Sequence, residues 1–357
     1  MQFVRLGLIG AGMIGHAHAA VLRGLAGVWP ERVTLAAVAD PDERARTRCQ
    51  HVHGIADAYA DPRALLDDPA IDAVFICTPT AFHSDLVHAA AAAGKHIFCE
   101  KPVAMSYAEG LDMLAAVRRA GVKAQVGLVL RFSAVYTVMR ELLRTPHAGA
   151  PVAVVFRDDQ CFPIRGLHHT AWRKDRRLTA GGTLIEHGVH DLDLLTWFFG
   201  PVARLRAWQQ NRAGNPGVED YMAIELEFAS GLRAQLVNLW HDMAARASNR
   251  RLEIFCQRGF VASEHDMLGD ITLQLGDGAA TQLGASEVLA RYETLLGRPD
   301  AIFRDWYGIP YLLQDLQFVE ALLEDRAPAP SLEEGLAAQY LAEAAYRAAA
   351  TGEEVDI

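Results

Sequence analysis

The sequence predicts an α/β fold in two parts. Residues 1–128 read as a doubly wound parallel sheet, and residues 129–357 as an α+β domain on a mostly antiparallel sheet. Three observations carry this. Short apolar runs alternate with helix-period stretches through the first third of the chain, the signature of βαβ units. A Gly-x-Gly-x-x-Gly loop, Gly10 to Gly15, joins the first such run to the first such helix. Beyond about residue 130 the strand-like runs follow one another without helices between them, which favours antiparallel pairing.

The elements follow in order. Phe3–Ile9 reads as a strand, Ile14–Ala26 as a helix, Val33–Ala39 as a second strand and Asp42–Gln50 as a second helix. Pro62–Leu66 is a short helix. Ala73–Cys77 is a third strand and Phe82–Ala93 the helix after it. Lys95–Cys99, helix Tyr107–Ala120 and strand Lys123–Leu128 complete the first part. Ser133–Leu143 is helical, Val152–Asp158 a strand, and Gly182–Phe199 a helical stretch after a polar, basic loop. Strand-like runs occupy Ala203–Gln209, Tyr221–Phe228, Arg233–Trp240, Leu252–Cys256 and Gly259–Ser263. Amphipathic helices over Tyr311–Leu323 and Ser331–Ala350 close the chain.

Composition narrows the function classes. Of 357 residues, 51% are hydrophobic and 22% charged, an ordinary globular profile. The net charge is −10 and no long Lys/Arg run is present, which argues against a nucleic-acid partner. The stretch Leu6–Leu22 lacks Lys, Arg, Asp and Glu, but its four glycines and two histidines make a poor signal or membrane segment. Five cysteines are scattered without a Cys-x-x-Cys pair, so neither a disulfide framework nor a zinc ribbon is expected. Free thiols fit a reducing, cytoplasmic setting.

The glycine loop sits where its mechanism requires. Gly10 permits the tight turn, Gly12 lets backbone approach a pyrophosphate, and Gly15 allows the helix to pack on the strand. Met13 and Ile14 open that helix, whose N-terminus offers N–H groups and partial positive charge to phosphates. The second strand ends at Asp40, whose carboxylate can accept hydrogen bonds from both ribose hydroxyls and would repel a 2′-phosphate. NAD is therefore the expected cofactor of a Rossmann-type domain. Arg44 close behind keeps NADP possible, and Asp40 as a mere helix cap is the plainer alternative.

Two further motifs fall at the carboxyl edge of the same sheet, where α/β folds bind ligands. Thr78-Pro79 follows the third strand and Glu100-Lys101-Pro102 the fourth. With His83, the run Ala-Gly-Lys-His-Ile-Phe-Cys-Glu-Lys-Pro at 93–102, the pattern Gly181-Gly182-Thr-Leu-Ile-Glu-His-Gly-Val-His190-Asp-Leu-Asp193, and Trp197 and Gly200, the chain resembles the Gfo/Idh/MocA oxidoreductases. That family is named for glucose–fructose oxidoreductase and inositol dehydrogenase. The resemblance extends to the closing helices and so covers essentially the whole chain. It implies an N-terminal Rossmann domain and a C-terminal domain with an open, mostly antiparallel sheet. One face of that sheet commonly makes contacts in a homo-oligomer, here a dimer or tetramer.

The resemblance also implies roles. Lys101 matches the lysine that reaches the reacting centre, and His190 the usual acid/base. Glu186 stands where the family often has Asp, which keeps the charge and adds a methylene. The cofactor set is then Gly10, Gly12, Met13, Ile14, Gly15, Asp40, Thr78, Pro79, His83, Glu100 and Lys101. Glu186, His190 and Asp193, spaced i, i+4, i+7, would share one face of a helix. A carboxylate one turn from an imidazole can orient it and raise its pKa. His190 could serve as base for a hydroxyl proton, and Lys101 could stabilise alkoxide character or take the proton itself.

Arg131, His168, Trp172 and Asp193 are substrate candidates, a polar and aromatic mixture suited to a polyhydroxylated small molecule. The expected activity is hydride transfer between nicotinamide and a hydroxyl or carbonyl carbon of a sugar, inositol or related polyol. Alternatives are a non-catalytic dinucleotide-binding regulator, which would lose Lys101 and His190, and a glycosidase using NAD as a transient redox cofactor. No metal is expected: Glu186, His190, Asp193 and His168 or His169 could supply N/O ligands, but no standard metal-binding spacing is present.

Overall fold

The structure, a computed structural model, describes residues 2–163, 170–243, 245–297 and 310–357. His168 lies outside the described residues. The chain divides into two compact units. The first comprises Met1–Leu128, Arg177–Ala180 and Tyr311–Ala337; the second Val129–Arg176, Gly181–Pro310 and Ala338–Ile357.

The first unit opens with β1 (Val4–Ile9), α1 (Met13–Val28), β2 (Val33–Ala39), α2 (Glu43–His53), β3 (Asp57–Tyr59) and α3 (Pro62–Leu66). It continues with β4 (Ala73–Ile76), α4 (His83–Ala92), β5 (His96–Cys99), α5 (Tyr107–Ala120) and β6 (Ala124–Val126). The six strands are parallel in the order β3-β2-β1-β4-β5-β6. The order reverses beside β1, so the carboxyl ends of β1 and β4 flank a topological switch point, where open α/β sheets bind ligands.

The strands read as near-continuous apolar runs because both sheet faces are covered. β1 buries Leu6, Leu8 and Ile9, β4 all of Ala73–Ile76, and β5 Ile97–Cys99. Each large side chain so buried contributes roughly 1.5–3 kcal/mol of transfer free energy. α2 begins at Asp42, whose carboxylate accepts from the N–H groups of Arg44 and Ala45, and stops at Gly54 in the left-handed region. Three-residue β3, mostly exposed at the sheet edge, carries too little apolar pattern to be read from sequence.

The second unit contains α6 (Ala134–Leu143), β7 (Pro151–Cys161), α7 (Val189–Phe199), β8 (Val202–Gln210), β9 (Tyr221–Phe228), β10 (Arg233–His241), β11 (Asn249–Cys256) and β12 (Gly259–Ser263). β13 (Ile271–Leu275), β14 (Thr281–Leu283) and α8 (Ala285–Leu296) follow. α9 (Pro310–Leu323), α10 (Leu332–Thr351) and β15 (Val355–Asp356) end the chain. The nine-stranded sheet has the order β14-β13-β12-β11-β7-β10-β9-β8-β15. Its pairings are antiparallel except β7–β10, so the sheet is mixed and mostly antiparallel. One face buries Val154, Phe156, Ile224, Leu236 and Ile254. The other exposes Val155, Trp208 and Phe255 among Arg–Glu pairs such as Arg204–Glu227 and Arg251–Glu253.

The segment before α7 differs from a continuous helix. Leu184–Gly188 forms a π-helical turn, and the α-helix starts only at Val189. Three glycines make that turn possible by close approach. A Cβ at Gly182 would lie 1.8 Å from the carbonyl oxygen of Glu219, and one at Gly188 2.5 Å from Asn238 Oδ1. At Gly181 it would lie 2.4 Å from the Tyr346 hydroxyl. Such single-turn π segments recur at functional sites.

Candidate active site

In the first unit the glycine loop has the geometry a pyrophosphate requires. Gly10 takes φ +97°, and a Cβ there would meet Cys77 O at 2.6 Å. A Cβ at Gly15 would sit 2.0 Å from Gly10 O, so only glycine lets α1 pack this closely on the turn. A Cβ at Gly12 would meet nothing within 4 Å. No side chain caps α1 at Gly12, and its first turn, which opens with Met13 and Ile14, holds no acidic residue. The helix N-terminus therefore keeps its positive field for an anion.

Asp40 stands at the end of β2, beside the glycine loop. Its Oδ2 accepts from the Ala11 N–H at 2.7 Å and its Oδ1 from the Asp42 N–H at 2.8 Å. Asp42, not Asp40, caps α2, so the helix-cap alternative for Asp40 does not hold. Each carboxylate oxygen retains a lone pair for a ribose hydroxyl. On the other side of β1, the Thr78 hydroxyl is buried without a hydrogen-bond partner. An open cradle over Gly12, a half-exposed carboxylate at Asp40 and an orphaned hydroxyl at Thr78 fit a dinucleotide along the edge of this sheet.

His83 braces that edge. Its Nδ1 lies 2.8 Å from Pro102 O and its Nε2 2.9 Å from Thr78 O, which ties the Thr78-Pro79 turn to the Glu100-Lys101-Pro102 turn. Burial lowers its pKa, against the pull of both carbonyls. Both ring nitrogens thus face backbone carbonyls.

Behind Lys101 lies a buried ionic chain with no single-motif signal in the sequence. His18, wholly buried on α1, places Nδ1 2.8 Å from Asp315 Oδ2 and Nε2 3.0 Å from Glu100 Oε1. Burial alone would lower the His18 pKa, but the two carboxylates overcome it and push it up to about 10. Burial pushes Asp315 up, whereas Glu100, despite burial, is held down by His18. Glu100 Oε2 accepts from the Lys101 N–H at 3.1 Å. A Cβ on Gly127 would lie 2.5 Å from Glu100 Oε1, so glycine there leaves the carboxylate its place. His18, Asp315 and Glu100 therefore fix the backbone that carries Lys101.

In the second unit the carboxylates are held by arginines. Arg173 Nε donates to Glu186 Oε2 at 2.8 Å, and its guanidinium lies 4.7 Å from the centre of the Trp172 ring. Arg131 grips Asp193 with two bonds, Nε to Oδ2 at 2.8 Å and Nη2 to Oδ1 at 2.6 Å. Two substrate candidates, Arg131 and Asp193, are thus one bidentate pair. Glu186 stands in the π-helical turn and His190, 7% exposed, in the first turn of α7. The expected single α-helical face through Glu186, His190 and Asp193 is therefore interrupted by the wider turn.

Asp191 faces the other way. It accepts from Arg250 Nε at 2.9 Å and Asn238 Nδ2 at 2.6 Å, and Arg250 also donates to Asp158 at 3.1 Å. Burial, then the Asp158 charge, push Asp191 up to about 8. Glu219 accepts from the Gly182 and Leu184 N–H groups at 2.7 and 2.9 Å and from the Tyr346 hydroxyl at 2.9 Å, which anchors the start of the π turn. His187 Nδ1 accepts from Trp240 Nε1 at 2.7 Å, so the neutral ring carries its proton on Nε2.

Comparisons with known proteins agree with this architecture. Residues 4–128 match the oxidoreductase family with an NAD-binding Rossmann fold, and residues 136–262 match the GFO/IDH/MocA C-terminal domain. Inositol 2-dehydrogenase of Rhizobium meliloti is 30% identical over 99% of this chain and 99% of its own. Myo-inositol 2-dehydrogenase of Thermotoga maritima is 27% identical over 96% and 95%. A crystal structure of an NAD-binding oxidoreductase from Klebsiella pneumoniae superposes with TM-score 0.85 at 24% identity, over 99% of both chains. The chain belongs to the Gfo/Idh/MocA oxidoreductase family, and it is an NAD-binding oxidoreductase. Among the described residues no helix is long and apolar enough to cross a membrane.

Proposed function

We propose that this chain is an NAD-dependent dehydrogenase acting on a secondary alcohol of inositol or a related polyol or sugar. The observation that carries the reading is the placement of Lys101. It follows β5 at the carboxyl edge of the parallel sheet, on a backbone pinned by the buried His18–Glu100–Asp315 chain. A lysine held this firmly at the edge that carries the dinucleotide loop suits hydrogen bonding to a reacting oxygen. The names of the Rhizobium and Thermotoga relatives, matched over nearly the full chain, support the polyol class.

Bound NAD supplies the hydride acceptor. The chain's own residues do the rest. The Gly10–Gly15 loop binds the pyrophosphate, and Asp40 takes the adenosine ribose hydroxyls and disfavours a 2′-phosphate. Thr78 and Pro79 line the edge, and His83 and Glu100 hold its turns in place. Lys101 hydrogen-bonds the substrate oxygen and stabilises its alkoxide character. The family resemblance makes Lys101 and His190 the two candidates for taking the hydroxyl proton. Glu186 holds Arg173 against Trp172, and Arg131, Asp193 and Trp172 are the candidates for contact with substrate hydroxyls. His168 belongs to the same candidate set. The exposed Trp208, Phe255 and Val155 on the second unit's sheet suit packing against a second copy of the chain.

The test is a panel of cyclitols, aldoses and anhydrosugars offered to purified protein with NAD⁺ and, separately, NADP⁺. NADH formation with at least one polyol, faster with NAD⁺, supports the reading. NAD⁺ binding with no reduction across the panel favours a regulator, and glycoside turnover without net NADH favours redox glycosidase chemistry.

A further inference from the structure

Away from Lys101, three metal-ligating side chains converge between the first two helices of the parallel-sheet unit. His16 stands on α1, and Cys49 and His53 on α2. One ligand atom from each of the three lies within 4.8 Å of the other two. The imidazoles face each other across 3.0 Å, His16 Nδ1 to His53 Nε2, with ring centroids 5.2 Å apart. Cys49 and His53 are spaced i, i+4 and so project from one face of α2. We infer that His16, Cys49 and His53 form a binding site for a zinc-class divalent cation.

The donor set selects the ion. Two imidazole nitrogens and a thiolate suit zinc or another borderline-soft metal, whereas magnesium and calcium require oxygen ligands. Three protein ligands leave a fourth tetrahedral position for water, and the half-buried histidines leave a path to solvent. The geometry also identifies what the metal replaces. Without it, two imidazoles share a single N–H between facing nitrogens, and the wholly buried Cys49 thiol sits beside them.

Burial favours the neutral form of all three side chains. Burial lowers the pKa of both histidines, which keeps their lone pairs available. Burial, then the charge of Asp40, push the Cys49 thiol up to about 11. Binding therefore converts thiol to thiolate: the S–H bond breaks, a metal–sulfur bond forms, and one proton passes to solvent. The bound ion would clamp α1 to α2 beside the existing bond from Arg23 Nη1 to Val52 O. This role is independent of hydride transfer.

Cobalt(II), added alone to chelator-treated full-length protein, tests the site without any turnover assay. The expected result is an intense thiolate-to-cobalt charge-transfer band with tetrahedral ligand-field bands, abolished by added zinc. Cys49→Ser removes the charge-transfer band. His53→Gln, at the end of α2, weakens zinc binding by on the order of tenfold or more in competition with a chelating dye. Circular dichroism of both variants establishes that they are folded, and His53→Gln alone suffices where Cys49→Ser is not. A weak octahedral cobalt spectrum in the wild type overturns the proposal, as do bands that persist in folded Cys49→Ser or zinc affinity unchanged in His53→Gln.

Discussion

His18 and Glu100 meet in the dry interior of the first unit, Nε2 to Oε1 at 3.0 Å, with Asp315 on the opposite ring nitrogen. Flanked by two carboxylates, the ring is an imidazolium. The sign of its pH effect follows from its raised pKa, 6.5 in an ordinary histidine and about 10 here. The stability it confers is complete below about pH 6.5 and is lost as pH rises through 10. Thermal melts of the wild type are expected to fall steadily over that window. His18→Asn leaves two buried carboxylates without their cation, a loss of about 3–5 kcal/mol. The variant is expected to melt lower at pH 6 and to show a flatter alkaline decline. A melt indistinguishable from wild type at both ends would remove the imidazolium from the account.

The proposed function makes Asp40 the residue that sets cofactor choice. Its carboxylate is held by the Ala11 and Asp42 N–H groups at the end of β2. Asp40→Ser keeps a hydroxyl and removes the charge that repels a 2′-phosphate. Fluorescence titration is expected to show NADH binding weakened by about tenfold, roughly one good hydrogen bond to a charged group. NADPH binding is expected to strengthen. Unchanged preference in the variant would mean that another residue discriminates the two cofactors.

The outer face of the second unit's sheet predicts assembly. Trp208 is 53% exposed and Phe255 41%. Isolated apolar residues on a surface are common, but two large aromatics with Val155 on one sheet face are a candidate interface. Light scattering is expected to show a homo-oligomer, and Trp208→Glu to shift it toward smaller species. A monomeric wild type would contradict this reading of the face.

Much of the fold was legible because its signals are periodic and local. The parallel sheet was readable from apolar runs such as Ala73–Ile76, which are buried on both faces, and the loop from three glycines, of which the structure explains Gly10 and Gly15 by close approach. Short edge elements were not legible. β3 and β14 have three residues each, and β15 has two. The return of Tyr311–Ala337 to the first unit is a long-range event: Val126 N donates to Pro330 O and Gln125 Nε2 to Gln314 O, contacts that no local pattern encodes.

The site divides in the same way. Gly10–Gly15, Asp40 and Lys101 carry motif signals, and the structure places them at one sheet edge. His18 and Asp315 are 297 positions apart and are meaningful only once folded. The arginines on Glu186 and Asp193 were hidden for a different reason. The sequence marks Arg173 only as part of a polar, basic loop and Arg131 only as a substrate candidate, whereas each carries an ion pair with a carboxylate of the helical stretch 182–199.

The central claim is that Lys101 acts on the reacting oxygen of a polyol while the glycine loop holds NAD. Its most direct measurement is steady-state NADH formation by wild type and Lys101→Ala on the best polyol of the panel, with NAD⁺ affinity measured on both proteins. The account predicts kcat lowered by about 10²–10⁴-fold in the variant, the range of a lost proton-transfer or alkoxide-stabilising group, with NAD⁺ affinity within a few-fold of wild type. Full turnover in Lys101→Ala would contradict it.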